Sequence, residues 1–458
     1  MNPTPLSQIA EWVGGRIWAG DSTVSVTQVC TDSRSIQKGD LFVALRGDNF
    51  DGHRFVSSVS QVGAAGALVA EPPNDVRPDF ALIQVQDTLA GLQRLSGAYR
   101  ASLNTEVVAI TGSNGKTSTK DFTAAVLGRR FRTAKTKGNL NNHIGVPLTL
   151  LDLEEADEVA VVEMGMNHPG EIAPLAALAK PTVAIITNIG VAHIEYMGSR
   201  DAIAREKGML AEAVPAGGTV ILNAEDDMSE GIAARCAAKV ITAGIARGDV
   251  RATQVRTTQD GMEFQLEYQG GAVSAFVPVF GEHMVRNALL ACGAGLALGM
   301  KLQACAEGLK ALDLSKGRLQ RKMIHGCTIL DDTYNANPDS VVAGLSTLMT
   351  LPGSGRRFAV LGRMGELGSE AEAGHRRVGH EAGELGVSGV IAVGAEASWI
   401  AEAARAAGVS EVILVENTEA AAERLRTLLQ PGDIVLIKGS RSSKMEQVIA
   451  VLESGGKN

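Results

Sequence analysis

The stretch that decides the fold is VVAITGSNGKTSTKDF, residues 107–122. An apolar, β-branched run leads into GSNGKT, residues 112–117, and a helical pattern follows. Glycines let backbone N–H groups turn onto a polyphosphate, and a helix N-terminus adds positive potential. Lys116 can reach the β- and γ-phosphates, and the Thr117 hydroxyl can hold Mg²⁺. The stretch therefore predicts a nucleotide-binding loop, although Ile110 stands where the strict pattern has its first glycine.

The bulk composition is typical of a globular protein of several domains, since 458 residues exceed what one core supports. The net charge of −8 and the lack of a long Lys/Arg block make nucleic acid a poor partner. No apolar run reaches the roughly 20 residues of a membrane span. The N-terminal sequence lacks the pattern of a signal peptide, and the five cysteines show no CxxC spacing. We therefore expect a reduced, cytoplasmic chain.

Hydrophobic patterning divides the chain into three zones, which predict an α/β fold of three domains. Residues 1–86 contain short strand-like pieces and turn-rich joints, as in a small α/β domain. Residues 87–315 open with an amphipathic helix and alternate β-branched strands with helices, which indicates a mostly parallel sheet buried on both faces. Within this zone, residues 251–280 have the alternation of a small antiparallel piece. Residues 316–458 repeat the strand–helix alternation of a Rossmann-like domain.

Three polar residues of the central zone fall near predicted strand ends, where α/β sheets bind their ligands. Glu163 ends one strand, His193 follows another, and Lys207 lies on the next predicted helix. Taken singly, such residues are more often a solvated carboxylate, a core histidine and a surface lysine. Behind a phosphate loop the balance changes, because ATP chemistry needs Mg²⁺ held by carboxylate, imidazole or water oxygen. Glu163 is the strongest metal candidate.

Most other candidates are open to more than one interpretation. His283 and Asn287 share one helical face and suit either contact with a nucleotide base or a decorated helix start. Arg318 follows a predicted domain junction and could reach a γ-phosphate, while Asp332 suits ribose, metal or a turn cap. The YNANPDS string suits either a peptide ligand or an Asx-turn. In the first zone, a second phosphate-bearing ligand could be bound by small donors and arginines, namely Ser33, Arg34 and Arg46, with His53 nearby.

Several strings together resemble the Mur ligases of bacterial cell-wall synthesis. TGSNGKTS is shared with folylpolyglutamate synthases and is therefore a superfamily signal. The more specific strings are TDSR, GDLFVALRG, DGHRF, GNLNNHIGVPLTLL, EMGMNHPGEI, TNIGVAHIEYMGS, DDTYNANPDS, VLGRMGELG and KGSRSSKME. The likeness covers essentially the whole chain and its three-domain order. It implies an N-terminal domain that binds a UDP-sugar-peptide, a central ATPase domain and a C-terminal domain that closes on ATP and binds a dipeptide.

The resemblance also implies site roles, residue by residue. The residues implied to bind ATP are Gly112, Ser113, Asn114, Gly115, Lys116, Thr117, Ser118, His283, Asn287, Arg318 and Asp332. The implied substrate-binding residues are Ser33, Arg34, Arg46, Asn141, Asn142, Asn335, Asn337 and Pro338. The implied Mg²⁺ ligands are Thr117, Glu163, His193 and Lys207, the last as a carbamate. Lys116, Glu163, His193, Lys207 and Arg318 are the implied catalytic residues. Glu206 departs from the small residue expected beside Lys207.

The implied reaction is ATP-dependent amide formation between UDP-N-acetylmuramoyl-tripeptide and D-alanyl-D-alanine, through an acyl phosphate. DDTYNANPDS and the first-zone strings argue against two neighbouring alternatives, which are another amino-acid-adding ligase of the superfamily and folylpolyglutamate synthase. A non-catalytic nucleotide switch is a remote alternative, because Glu163, His193 and Lys207 exceed what a switch needs. We expect a monomer with no membrane span and no nucleic-acid partner.

Overall fold

The computed structural model describes residues 1–454, in which the largest sheet has nine strands. The first seven strands pair in parallel, and the seventh, eighth and ninth strands pair antiparallel with one another in turn. From edge to edge, these strands are Thr133–Lys135, Val159–Glu163, Glu106–Thr111, Val183–Ile186, Thr219–Asn223, Lys239–Gly244, Val250–Thr257, Met262–Tyr268 and Gly271–Val277. The antiparallel piece predicted within residues 251–280 is therefore confirmed.

Helices cover both faces of this sheet, as the continuous apolar strands require. They are Thr88–Ala101, Lys116–Leu127, Gly145–Leu151, Ile172–Ala179, Ile194–Met197, Arg200–Glu212, Ser229–Ala233, Glu282–Ala297 and Leu302–Leu309. Alternate residues of one strand enter two different cores. Val107 and Ala109 pack in a core shared with the first zone, whereas Val108 and Ile110 pack in a core shared with the third. The central sheet thus lies between, and is packed against, both neighbours.

The register of the central strands brings the candidate residues to one edge. Ile110 pairs with Glu163, and Thr111 pairs with Ile186. Because the strands are parallel, the phosphate loop, Glu163 and the segment after Ile186 all leave the sheet at its carboxyl end.

The first zone contains a five-stranded sheet that is parallel except for one edge pair. Its strands, in order, are Arg16–Ala19, Ala81–Gln84, Gly66–Val69, Leu41–Val43 and Val29–Cys30. Two short antiparallel pairs are Thr4–Pro5 with Ser25–Val26 and Arg46–Gly47 with Phe50–Asp51. The helices of this zone are Leu6–Val13 and Val56–Val62, with a short 3-10 helix at Gly52–Phe55.

The third zone contains a six-stranded sheet with one antiparallel edge pair. Its strands, in order, are Gln320–Ile324, Cys327–Asp332, Ile434–Lys438, Arg357–Gly362, Gly389–Val393 and Glu411–Val415. Its helices are Pro338–Thr350, Ala371–Glu384, Ser398–Ala406, Thr418–Leu428 and Glu446–Ser454. Short 3-10 helices lie at Gly368–Glu370, Ala395–Ala397 and Arg441–Ser443. The predicted α/β fold of three domains is confirmed, while the boundaries at residues 86/87 and 315/316 stay predictions.

Within residues 1–454, no helix is both long and apolar enough to cross a membrane.

Candidate functional site

The phosphate loop needs its glycines for two different close approaches. Gly112 has a φ of +150°, and a side chain there would collide with the Thr187 hydroxyl. Gly115 has a φ of +80°, and its missing side chain leaves room for the amide of Asn287. Both positions therefore exclude a side chain by conformation and by space.

The loop is held by a Thr-Asn pair that the sequence interpretation did not single out. Asn188 Nδ2 donates to the carbonyl of Asn114 at 3.0 Å, and Asn188 Oδ1 accepts the Asn114 N–H at 2.9 Å. Thr187 Oγ1 donates to the same carbonyl at 2.5 Å. The available signal was TNIG, which directly follows an apolar strand. These bonds fix the loop before any ligand binds.

Lys116 folds back over the loop. Its Nζ donates to the carbonyl of Gly112 at 2.7 Å and to that of Ser113 at 3.3 Å. Burial lowers the pKa of Lys116, and the Glu163 carboxylate acts in the opposite direction. The ammonium thus lies at the mouth of the loop, bound only to carbonyls that a phosphate oxygen can replace.

Glu163 lies at the centre of the predicted metal site and is 2% exposed. Its Oε1 accepts hydrogen bonds from Thr117 Oγ1 at 3.2 Å and from Asn141 Nδ2 at 2.9 Å. Its Oε2 is buried without a hydrogen-bond partner. A buried carboxylate oxygen without a partner is costly, and such an atom suits the role of a cation ligand.

Arg318 reaches this group from the segment that enters the third zone. Its Nη2 donates to Thr117 Oγ1 at 3.3 Å, and its guanidinium carbon lies 4.1 Å from the centre of the Tyr334 ring. Its Nε is buried without a partner. The guanidinium is therefore held from two sides, and its buried Nε–H is left to donate to an anion.

Lys207 is completely buried, and its Nζ has no hydrogen-bond partner. Burial places its pKa well below the usual value; Lys116 lowers it further, and Glu206 raises it. A neutral amine is the form that such a site favours. Glu206 turns away to the start of a helix, where it accepts the N–H groups of Gly170 and Ile172, both at 2.8 Å. The departure at Glu206 thus has a structural reason.

His193 meets a carboxylate that the sequence interpretation missed. Its Nδ1 lies 2.5 Å from Glu366 Oε2, and both residues have positive φ, +65° and +62°. Burial lowers the pKa of His193, and Glu366 opposes that shift. Glu366 belongs to the string VLGRMGELG of the third zone, so this contact joins the central and third zones.

His283 and Asn287 lie on the helix Glu282–Ala297 but face different surroundings. Burial lowers the pKa of His283 to about 4, so its ring is neutral near pH 7. Asn287 lies beneath Gly115. The helix thus supports the phosphate loop, and a role of either residue in base recognition stays a prediction.

Asp332 forms a buried ion pair with Lys438, whose Nζ lies 2.6 Å from its Oδ2 and 2.9 Å from the Asn335 carbonyl. Burial lowers the pKa of Lys438, which the Asp332 charge counteracts. Asn337 caps the helix Pro338–Thr350, and its Nδ2 also donates to Asn114 Oδ1 at 2.7 Å. The third zone therefore contacts the phosphate loop directly.

The first-zone candidates lie on the surface. Arg34 is exposed and lies 2.7 Å from Asp32, while Arg46 contacts Glu71 at 3.1 Å. Ser33 is half-buried. In the central zone, Asn142 Oδ1 accepts N–H groups at the start of the helix Gly145–Leu151. The substrate-binding roles of these residues stay predictions.

Within residues 1–454, no three His, Cys, Asp or Glu side chains are grouped so that they could hold a metal ion.

Comparison with known proteins assigns the family. Three Mur ligase profiles match, as the Mur ligase family catalytic domain over residues 25–111, the middle domain over 110–295 and the glutamate ligase domain over 317–441. The UDP-N-acetylmuramoyl-tripeptide–D-alanyl-D-alanine ligase of Escherichia coli is 37% identical over 98% of both chains. Its Bacillus subtilis counterpart is 36% identical over 97% of both. The chain belongs to the Mur ligase family.

Solved structures agree with this assignment. MurF from Acinetobacter baumannii matches with a TM-score of 0.92 and 34% identity, over 99% of both chains. MurF from Thermotoga maritima, in complex with ADP, matches with a TM-score of 0.83 and 27% identity, over 93% of this chain and 97% of that one. The predicted family resemblance is therefore confirmed.

Proposed function

We propose that this Mur ligase uses ATP to join D-alanyl-D-alanine to UDP-N-acetylmuramoyl-tripeptide, in a step of peptidoglycan synthesis. The observation that carries the proposal is a set of buried polar atoms without partners around the phosphate loop. These atoms are Glu163 Oε2, Lys207 Nζ and Arg318 Nε. A nucleotide with its cation would supply the partners, and full-length relatives carry this activity in their names.

The chemistry explains the need for ATP. A carboxylate is a poor acyl donor because its leaving group would be an oxide. Transfer of the γ-phosphoryl group from ATP to the terminal carboxylate of the tripeptide gives an acyl phosphate and releases ADP. The amine of the dipeptide then attacks the acyl carbon, and phosphate leaves through a tetrahedral intermediate. The first step depends mainly on alignment and charge neutralisation.

The residues of this chain would divide that work. Lys116 exchanges its carbonyl partners for phosphate oxygens, and Arg318 offers its free Nε to the γ-phosphate. Mg²⁺ would be held by Thr117, Glu163 and His193, and it would offset the negative charge of the phosphates. The donor set fits, because Glu163 Oε2 lacks a partner and burial lowers the pKa of His193, which favours the neutral ring.

Lys207 is proposed to carry a carbamate. Only a neutral amine reacts with CO₂, and full burial without a partner favours the neutral amine. The carbamate would place a negative charge near Lys116, where the unmodified amine is neutral. Intact-mass measurement of the native protein should show the increment of one CO₂, which Lys207→Arg should lack. An unmodified Lys207 in active enzyme would contradict the carbamate.

We further propose where the two substrates bind. The uridine diphosphate would contact the first zone, at Ser33, Arg34 and Arg46, while Asn141 and Asn142 would lie along the sugar-peptide. The dipeptide would be held by Asn335, Asn337 and Pro338. The contact between Asn337 and Asn114 supports a dipeptide site beside the phosphates. A monomeric enzyme of the cytoplasm is part of the same proposal.

A phosphate-release assay tests this function, with each component omitted in turn. We expect phosphate only when ATP, Mg²⁺, UDP-N-acetylmuramoyl-tripeptide and D-alanyl-D-alanine are all present. Replacing the dipeptide by single amino acids, including glutamate, separates the proposal from other ligases of the superfamily. Equal phosphate release with a single amino acid would contradict it.

A further inference from the structure

A buried carboxylate beside the phosphate loop has no part in the proposed chemistry. Asp121 lies one turn after Thr117 on the helix Lys116–Leu127, and its side chain is fully buried. Its Oδ2 accepts two hydrogen bonds from Ser315, from the backbone N–H at 2.9 Å and from the hydroxyl at 2.8 Å. Its Oδ1 lies 2.8 Å from Lys135 Nζ and 3.6 Å from Lys120 Nζ. Both carboxylate oxygens are therefore committed.

Ser315 belongs to the segment that connects the central and third zones, and Arg318 lies three residues further on. Between them, Gly317 turns the chain with a φ of +70°, where a side chain would lie 3.1 Å from the Tyr334 nitrogen. Arg318 then donates back to Thr117. Residues 315–318 thus contact the same helix at two points, through Asp121 at one end and Thr117 at the other.

We propose that Asp121 is a positioning residue, which anchors this connection so that the Arg318 guanidinium stays over the phosphate loop. The inference rests on the proposed function, in which Arg318 contacts the γ-phosphate. Without the anchor, the third zone could still dock, but the start of the segment carrying Arg318 would no longer be fixed to the helix that holds the phosphates. The expected consequence is a loss of alignment rather than of nucleotide binding.

Asp121→Asn weakens the anchor with little change in shape. An asparagine has one acceptor oxygen and one donor amide, whereas Asp121 faces donors on both sides. One side then places donor against donor, whichever way the amide turns. Ser315→Ala is a milder second variant, because it removes the hydroxyl and keeps the backbone N–H.

The kinetic test compares single and double variants in the full-length enzyme. Asp121→Asn should lower kcat about 10- to 100-fold and change KM for ATP by no more than about twofold, as misalignment predicts. In an Arg318→Lys background, the same change should lower kcat by less than about threefold, because the aligned group is already altered. Ser315→Ala should show the same pattern with a smaller loss.

The matched control is Asp433→Asn. Asp433 is also a buried carboxylate, which pairs with Arg356 at 2.7 Å and accepts the Arg356 backbone N–H. It directly precedes the strand Ile434–Lys438 and therefore lies at the opposite end of that strand from Lys438. This variant should lower the unfolding temperature and leave kcat unchanged. If Asp121→Asn behaves like Asp433→Asn, or lowers kcat equally in both Arg318 backgrounds, the positioning role is wrong.

Hydrogen exchange gives a readout that is independent of activity. In the wild type without substrates, the Ser315 amide should be protected, and Asp121→Ala should raise exchange in residues 312–319 about tenfold or more, since both acceptor oxygens are lost. Unchanged exchange would overturn the inference. If instead the wild type releases no phosphate with the two substrates, the proposed function fails, and the exchange result still decides the anchor.

Discussion

The two ends of the central sheet are both polar, yet they differ in how their polar atoms are paired. At the carboxyl end, Glu163 Oε2 and Lys207 Nζ are buried without partners. At the amino end, a cavity of about 640 Å³ is lined by several carboxylates. There, Asp157 binds Arg132 at 3.2 Å, and Glu106 accepts a hydrogen bond from the Thr182 hydroxyl.

Between these two ends, missing partners rather than polarity distinguish the proposed site. Leaving a buried polar atom unpaired costs about 1–3 kcal/mol, and a bound nucleotide with its cation would offset that cost for Glu163 Oε2. At the amino end, Glu106, Asp157 and Glu158 already have partners and therefore serve the fold. The comparison gives opposite expectations for equivalent substitutions at the two ends.

The largest expected effect is that of Lys116→Ala at the carboxyl end. Removing the ammonium proposed to neutralise the phosphates should lower kcat/KM by about 10³-fold or more. Lys239→Ala, an exposed lysine at the amino end, is the control and should retain full activity. Steady-state phosphate release measures both. Comparable losses in the two variants would remove the distinction between the ends.

Glu163→Gln sharpens the comparison through a change of charge alone. We expect kcat to fall about 10²- to 10³-fold, because an oxygen proposed to bind Mg²⁺ is lost. The unfolding temperature should hold or rise, since an unpartnered buried charge disappears. Glu106→Gln at the amino end should leave kcat within about twofold, as is usual for exposed positions. A destabilised Glu163→Gln with normal kcat would contradict a ligand-binding role.

Much of the carboxyl end could be predicted from sequence, because its signals are local. The β-branched run before Gly112 and the apolar run ending in Glu163 each specify a strand and its exit. The strands Arg16–Ala19, Thr133–Lys135 and Lys239–Gly244 have no equally clear signal, since short or half-polar strands carry little periodicity.

The missed site residues have a different cause. Glu366 reaches His193 only through docking of the third zone, and it needs a positive φ that its sequence does not indicate. The hairpin formed by Gln320–Ile324 and Cys327–Asp332 has a weak sequence signal, because its first strand is rich in charged residues. Such pairings depend on tertiary contacts rather than on local pattern.

A smaller effect is expected for Asp157→Asn at the amino end. Asp157 accepts from Arg132 Nε and from the Glu154 N–H, at 3.2 and 2.9 Å. Weakening these bonds should reduce the free energy of unfolding by about 1 kcal/mol. Denaturant titration measures this loss, and kcat should not change. A fall in kcat without destabilisation would give the amino end a functional role.

The last expected effect concerns pH and not activity. His283 has a pKa of about 4 in the folded protein because of burial, against about 6.5 when unfolded. Between these values the unfolded chain binds the proton and the folded one does not, so stability should fall as pH drops from 6.5 to 4. His283→Gln, which cannot titrate, should show a shallower decline in unfolding temperature. An identical decline would show that other groups control it.

The most direct measurement follows an oxygen atom. UDP-N-acetylmuramoyl-tripeptide labelled with ¹⁸O in its terminal carboxylate is incubated with ATP, Mg²⁺ and D-alanyl-D-alanine, and the released phosphate is analysed by mass. Activation of the acid by phosphoryl transfer predicts that one carboxylate ¹⁸O appears in each phosphate formed from the fully labelled substrate. Phosphate without the label, alongside normal amide product, would contradict the central role assigned to the phosphate loop.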